Sequence, residues 1–412
     1  MSFQQGLSGL NATSQQLSVI GNNVANANTV GFKQSTSKFS DVYAASLNGG
    51  GATQIGIGTK LAKVSQEFTQ GNITNTNNTL DVAINGNGFF IMSQNGVVTY
   101  TRNGQFEMDK DGYIVNSEGK RLRGNSADNL EGSSPVDIQI NTSDLPPKTS
   151  TQVTGKLNLN SDSPVIDQSV KPFNPSDATT YTNSTSITVY DALGNSHTVQ
   201  NYFVKTAANT WQTYTTADGS VVPPKANASD PYTATGTIKF TTSGAYDTTN
   251  STALNVSFTP SSGAAAVNLK LDYTASTQYG SGFSVNKLAQ DGYTSGRIAN
   301  FSIGSDGIIV GRYSNGQSQA LGRVVLANFV NPNGLRSLGG NQWQSSFDSG
   351  EALIGAPGSS TLGVLQSSAV EDSNVDLTAE LVNMIMAQRV YQANSQTIKT
   401  QDQVLQTLVN MR

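Results

Sequence analysis

His197 is the chain's only histidine, and no cysteine accompanies it. Imidazole is the commonest general base and metal ligand, and thiolate is its usual companion in zinc sites and nucleophilic catalysis. A lone histidine beside a turn in a strand pattern therefore reads as a structural residue. Asp109-Lys110-Asp111-Gly112 has the opening of a calcium loop, but the twelve-residue frame ending in a bidentate glutamate is not assembled, so the segment reads as a hairpin turn. Gly56-Ile57-Gly58-Thr59-Lys60 lacks the Gly-x4-Gly-Lys-Ser/Thr frame of a phosphate loop and reads as a flexible loop. No Gly-x-Ser-x-Gly elbow is present. The expectation is no catalytic residue, no metal and no cofactor. An enzyme built on carboxylates paired only in space is the weaker alternative.

The composition points the same way. Of 412 residues 36% are hydrophobic, enough for a core, while only 13% are charged, about half the usual quarter. Asn, Gln, Ser, Thr and Gly make up the difference. A net charge of -4, from 24 basic and 28 acidic residues, provides no basic footprint for nucleic acid. No apolar run reaches the roughly 18 residues of a membrane helix, so membrane insertion is not expected. The first basic residue is Lys33 and no continuous apolar segment precedes it, so no Sec-type signal peptide is read there. The length suits two to four domains.

The elements that would carry function lie at the two ends. Phe3, Leu7, Leu10, Leu17 and Val24 follow a 4,3,4,3 spacing with Ser14 and Gly21 at the skipped positions, which predicts a coiled-coil-type helix over about 3–25. Leu377, Leu381, Met384, Tyr391, Ile398, Leu405 and Val409 repeat that spacing to the last residue, with Ser373 or Asp376 as N-cap. Three seam positions of this longer helix are polar: Gln388, Ser395 and Asp402. Neither stripe is self-sufficient, so each helix is expected to be marginal alone and to order when packed against a partner.

Between the ends the pattern is β. Phe89–Met92, Val97–Arg102, Phe106–Met108 and Tyr113–Val115 are separated by Asn95-Gly96, Asn103-Gly104 and Asp111-Gly112, predicting a β-meander. Asp306-Gly307 and a strand over Val324–Val330 form a second block in the same style. The Thr, Ser and Asn-rich stretch between these blocks follows Leu145-Pro146-Pro147 and reads as an inserted all-β domain. The expected fold is mainly β with paired terminal α-helices, nested like a hairpin. Terminal helices span 1–25 and 375–412, links 26–72 and 362–374, an inner β-domain 73–147 and 287–361, and an outer β-domain 148–286.

Gly21-Asn22-Asn23-Val24-Ala25-Asn26-Ala27-Asn28-Thr29-Val30-Gly31-Phe32-Lys33 resembles the signature of the flagellar rod, hook and hook-associated axial protein family. Its carriers are Asn22, Asn23, Ala25, Asn26, Thr29, Gly31, Phe32 and Lys33. Ser373-Asn374-Val375-Asp376-Leu377 through Glu380-Leu381-Val382-Asn383-Met384-Ile385 to Ile398-Lys399-Thr400-Gln401-Asp402 resembles the C-terminal signature of the same family. Leu80–Ile84, Gly88-Phe89-Phe90, Tyr100–Phe106 and Val325–Phe329 extend the resemblance into the inner β-domain. The insert 148–286 favours the hook branch over the distal-rod branch. The long Leu47–Gln54 stretch is reminiscent of the rod, where it would stiffen subunit contacts.

The resemblance implies a homopolymer, with terminal helices forming an inner tube around an export channel. It implies a curved hollow tube acting as a flexible universal joint, which transmits motor torque and conducts exported subunits. The implied partners are the distal rod protein, the hook cap, the hook-filament junction protein and the flagellar type III export gate. The implied location is the extracellular flagellum, reached without a cleaved signal peptide. Phe39 and Tyr43 have the Phe-x-x-x-hydrophobic spacing associated with export recognition. Without cysteine, thiol-derived cross-links between subunits are excluded. The competing readings are a distal rod-like component and a surface adhesin, the latter requiring a signal or anchor and no matched heptads at its ends.

Overall fold

A computed structural model describes residues 2–42, 56–131, 134–225, 227 and 230–410. Two compact units emerge, one formed by Met1–Thr142, Asn300–Arg312 and Ser318–Arg412, the other by Ser143–Ala299 and Tyr313–Gln317. The first contains both long helices, α1 (Ser2–Ala25) and α2 (Leu377–Asn410), which pack against one another. α2 is capped by Asp376, whose Oδ1 accepts from the backbone N–H groups of Thr378 and Ala379 at 2.9 and 3.1 Å. These are donors that a helix N-terminus otherwise leaves unpaired. The other cap candidate, Ser373, instead accepts from Val375 N–H in the turn before the helix.

After α1 the chain forms an antiparallel hairpin of β1 (Ser35–Val42) and β2 (Gly58–Gln66) that packs on α1. This corrects the loop expected at Gly56–Lys60, because Gly58, Thr59 and Lys60 open a strand. Gly58 adopts φ +138°, and a Cβ there would lie 1.9 Å from Ser8 Oγ. Its glycine serves close packing on α1. Leu47–Gln54 lies outside the described residues.

The main sheet of this unit interleaves the stretches before and after the insert. Arg121–Ser126 lies between Phe89–Gln94 on one side and Ser318–Val324 on the other, with Met92 opposite Leu122 and Val324 opposite Gly124. The sheet buries Phe89, Ile91, Tyr100, Val325, Ala327, Phe329 and Trp343 in one cluster. Phe68 meets Phe89 and Trp343 edge-on, each at 5.4 Å between centroids. The strand expected over Val324–Val330 is broken: Ser318–Val324 and Leu326–Asn328 are separate strands, and Val330 is 82% exposed.

Asn95 and Gly96 both take positive φ, 51° and 84°, and form the hairpin turn their identities predict. Asp111-Gly112 also turns a hairpin, with Asp109 Oδ1 accepting from the N–H groups of Asp111 and Tyr113. Asn103-Gly104 does not. Val97–Thr101 pairs with Phe89–Gln94 and Gln342–Gln344, not with the following strand. Gly104 is needed because a Cβ would lie 1.7 Å from the carbonyl oxygen of Val82, whose N–H donates to Gly104 O at 2.9 Å.

The second unit holds two five-stranded sheets. Strands Asn183–Tyr190, Ser196–Ala207 and Thr210–Ala217 pair consecutively and antiparallel. Gln152–Asn160 is the centre of the other sheet and pairs parallel with Val267–Asp272 and Thr277–Tyr279. The shared core buries Leu157, Phe203, Trp211, Val267 and Tyr273. Its polar atoms are satisfied: Trp211 Nε1 donates to Gln278 Oε1, and Asn201 Nδ2 donates to the Tyr273 hydroxyl.

Candidate functional site: a clasp between the two chain ends

The signature residues form the joint where α1 enters the β-structure. Past Ala25, Asn26 Nδ2 donates to Asn22 O and Oδ1, and the Thr29 hydroxyl donates to Asn26 Oδ1. These short side chains turn the backbone after the helix. Gly31 follows at φ +71° with a virtual Cβ 2.6 Å from Asn103 N, and its own N–H donates to Glu371 O at 2.8 Å. Both the backbone angle and the close approach exclude a side chain here. Phe32 is buried, Ala25 and Asn22 are exposed, and Lys33 is 1% exposed.

Lys33 ends in a buried ion cluster. Its Nζ donates to Glu371 Oε1 at 2.6 Å and to Thr69 O at 2.7 Å, while Arg102 Nε donates to Glu371 Oε2 at 2.9 Å. Arg102 Nη1 donates to the carbonyls of Gly86 and Gly88, and Gly71 N–H donates to Glu371 Oε1. Two cations share one carboxylate, and carbonyl dipoles complete the solvation that burial removes. Burial pushes the Lys33 ammonium down from its ordinary value; Glu371 opposes this and Arg102 adds to it.

A second buried centre joins the helices directly. Asn23 Nδ2 donates to Ser35 O at 2.8 Å and Glu380 Oε2 at 3.3 Å, and Asn23 Oδ1 accepts from Ser35 N–H. Gln34 Nε2 donates to Glu380 Oε1, and Gln34 N–H donates to Asn374 Oδ1. Asn374 Nδ2 in turn donates to the carbonyls of Glu67 and Thr69. Residues 23–35 are thus fastened to 371–380 by hydrogen bonds of each kind.

The contact surface of the helix pair differs from the apolar heptads. A Cβ on Gly6 would lie 3.2 Å from Ile398 Cγ1, and one on Gly9 2.8 Å from Asn394 Nδ2. Gly6, Thr13, Ile20 and Asn23 are buried and Gly9 and Gln16 half-buried, a 3,4,3,4,3 row displaced by one residue from Leu7, Leu10, Leu17 and Val24. On α2 Glu380 and Ala387 are buried and Met384, Asn394, Ser395, Ile398 and Gln401 half-buried. Met384, Ser395 and Ile398 belong to the expected seam. Leu377 and Leu381 are each 45% exposed, Leu405 54%, Tyr391 37% and Leu7 44%. Leu10, Leu17 and Val24 are half-buried at the flank. Small and polar residues set the closest approach, and much of the apolar stripe faces outward. Gly9→Leu is expected to force α2 from α1; loss of helicity by far-UV circular dichroism and rapid proteolysis within 377–410 would check it.

Phe39 is 37% exposed on β1, whereas Tyr43 lies outside the described residues. The two ring nitrogens of His197 contact Asp191 and Asp218 within the second unit. Among the described residues no group of three or more His, Cys, Asp or Glu side chains is arranged to hold a metal, and no helix is long and apolar enough to cross a membrane. Glu371 is the functional residue that sequence reasoning missed. Arg102, Asn374 and Glu380 fell within resembling motifs without an assigned role.

Models of four flagellar families match this joint and the two units. A flagella basal body rod protein model covers 3–33 and the flagellar basal body rod FlgEFG C-terminal model covers 366–411. The FlgE/F/G D1 domain model covers 83–162 and the FlaE D2 domain model 158–293. The chain is 45% identical over 419 residues to the flagellar hook protein FlgE of Salmonella typhimurium, covering all of both chains. The chain belongs to the flagellar hook protein family. It is 43% identical to the Escherichia coli flagellar hook protein over the whole of both chains, and 32% identical to that of Borreliella burgdorferi over all of this chain and 99% of the relative. The crystal structure of Helicobacter pylori hook protein FlgE2 shares the fold, with a TM-score of 0.55 at 17% identity over 72% of this chain and all of the other. As a hook-family chain it is a structural subunit of the flagellum that polymerises, and the clasp ties its two family-matched ends together.

Proposed function

We propose that this hook-family subunit assembles through its helix pair into a curved hollow tube that bends while transmitting torque and conducts exported chains. The observation that carries the reading is the displaced seam: α1 and α2 meet through glycines and polar residues, leaving Leu7, Leu377, Leu381, Val382, Ile385 and Leu405 uncovered. Neighbouring copies supply the missing cover, and a head-to-tail contact that does not close yields a helical filament. The helices form the inner tube, 26–72 and 362–374 the links, 73–147 and 287–361 the inner layer, and 148–286 the outer layer. The weakly charged, Asn, Ser and Thr-rich outer residues suit many exchangeable contacts as the tube flexes.

The distal rod protein, hook cap, hook-filament junction protein and type III export gate are the proposed partners. Export proceeds without a cleaved signal peptide, with Phe39 and Tyr43 as a recognition pair. The assembly test is electron microscopy of concentrated protein beside a variant lacking 1–30 and 375–412. Curved hollow tubes from the intact chain alone are the expected result. Straight rigid tubes would replace the hook reading with a rod-like one, and failure to grow on seeds of native hooks would overturn the polymer reading.

A further inference from the structure

We propose that Phe347 and Asp348 form a knob that docks in a cleft on a second copy of this chain, walled by Leu130, Val325, Ile354 and Ala356 and floored by Arg323. This inference rests on the polymer reading and adds a specific contact outside the helices.

Phe347 is 100% exposed, yet the turn that presents it is built firmly. Ser349 is fully buried; its hydroxyl donates to Ser346 O and accepts from Ser346 N–H, both at 2.9 Å. Ser346 Oγ donates to Gly334 O at 2.6 Å, and Asn331 Nδ2 donates to Asp348 O at 3.0 Å. Gly334 packs so closely that a Cβ there would lie 2.4 Å from the Asp348 carbonyl carbon. A large aromatic ring is therefore held in water by a turn with few alternatives, the preorganised form that interface anchors take. Asp348 beside it forms no ion pair among the described residues.

The cleft encloses about 400 Å³, room for an aromatic side chain, between Leu130, Val325, Ile354 and Ala356. Arg323 lines it. Its Nη1 donates to Leu130 O at 3.3 Å, but its buried Nε has no hydrogen-bond partner and no carboxylate lies within ion-pair distance among the described residues. Arg323 as a whole is half-buried and lines the cleft without an ion pair among the described residues, and an incoming carboxylate is its natural complement. Phe347 matches the walls and Asp348 matches Arg323. The turn that holds Phe347 outward on its own chain makes the occupant another copy. Knob and cleft use different residues, so the contact is heterologous and propagates. Among the described lining residues, Glu131, which is exposed, is the like charge that Asp348 would meet.

The test places the photocross-linker p-benzoylphenylalanine at 347 in the full chain, grows tubes, and maps the cross-link. Capture of a second copy at 130 or 354–356 is expected; capture elsewhere overturns the proposal. Phe347→Ala and Asp348→Asn are expected to raise the concentration needed for tube growth at least tenfold with unchanged melting of the monomer, and Glu131→Gln to lower it. Tubes that form from both knob variants at the original concentration would refute the contact while leaving the polymer reading intact. If the unmodified chain forms no tubes on native seeds, it is the polymer reading that fails.

Discussion

Glu371→Gln is expected to destabilise the helix-bearing unit by about 3–5 kcal/mol, the usual consequence of removing one partner from a buried ion cluster. Glu371 is the single anion between Lys33 and Arg102, at 2.6 and 2.9 Å, and its side chain is wholly buried. Glutamine keeps the shape but removes the charge, and its amide brings N–H donors to a position where Lys33, Arg102 and Gly71 already donate. Lys33 can respond by losing its proton, because burial already disfavours its charged form. Arg102 cannot, since a guanidinium stays protonated. The uncompensated charge at Arg102 should therefore dominate the loss. Lys33→Met, which leaves the Arg102–Glu371 pair balanced, should cost clearly less, and the triple replacement by apolar residues should recover much of the stability. Urea unfolding followed by Trp343 fluorescence, in a Trp211→Phe background, reads this unit. Equal losses for Lys33→Met and Glu371→Gln would show that packing, not charge balance, governs the cluster.

How much of this was legible in sequence depends on the range of the interaction. The helices were, because their periodicity and the cap at Asp376 are local; so was the Asn95-Gly96 turn, where both residues need positive φ. Asn103-Gly104 misled for an instructive reason. Its glycine admits a carbonyl 1.7 Å from where a Cβ would stand, and a sequence motif does not separate that need from a turn. The helix face was displaced by one residue because hydrophobic periodicity finds the apolar stripe, whereas closest approach within one chain follows Gly6 and Gly9 and the Asn23–Glu380 bond. Glu371 left no local signal, since its partner Lys33 is 338 positions away. The Asn-rich signature was visible as a motif, but its use as turn, close approach and clasp emerges only with the opposite chain end in place.

The displaced seam and the buried clasp divide the work of the chain ends. Hydrogen bonds and ion pairs with exact partners fix one arrangement of 23–35 against 371–380, a directional task that apolar contacts perform poorly. The outward apolar rows carry no such geometric demand. They suit cover by neighbouring copies in the proposed assembly, while the clasp keeps each copy's own joint intact.

In the second unit, raising the pH through neutrality is expected to lower the melting temperature, and His197 is the cause. Nδ1 lies 2.6 Å from Asp218 Oδ2 and Nε2 3.2 Å from Asp191 Oδ2. With a carboxylate oxygen at each ring nitrogen, both nitrogens must donate, so the ring is held as imidazolium. Burial pulls its pKa down, but the hydrogen bonds to Asp218 and Asp191 outweigh this and leave it raised. The stabilisation is therefore whole below about 6.5, the unfolded value, and is lost as pH climbs through the higher folded one. The carboxylates act in the opposite sense. Burial opposes ionisation of Asp191, yet bonds from Asn195, His197 and Ser262 hold it well below the usual range; Asp218, against the same opposition, is lowered by His197 and Thr198. Their contribution is present above about 3.9 and disappears as pH falls through the depressed values. Stability should peak between about pH 4 and 6.5. His197→Gln should flatten the alkaline arm, and Asp191→Ala should cost more, because it also strands the N–H groups of Leu193 and Asn195. Since the chain has a single histidine, its proton resonance titrates unambiguously by NMR. A midpoint at or below 6.5 would show that the two carboxylates do not hold the ring charged.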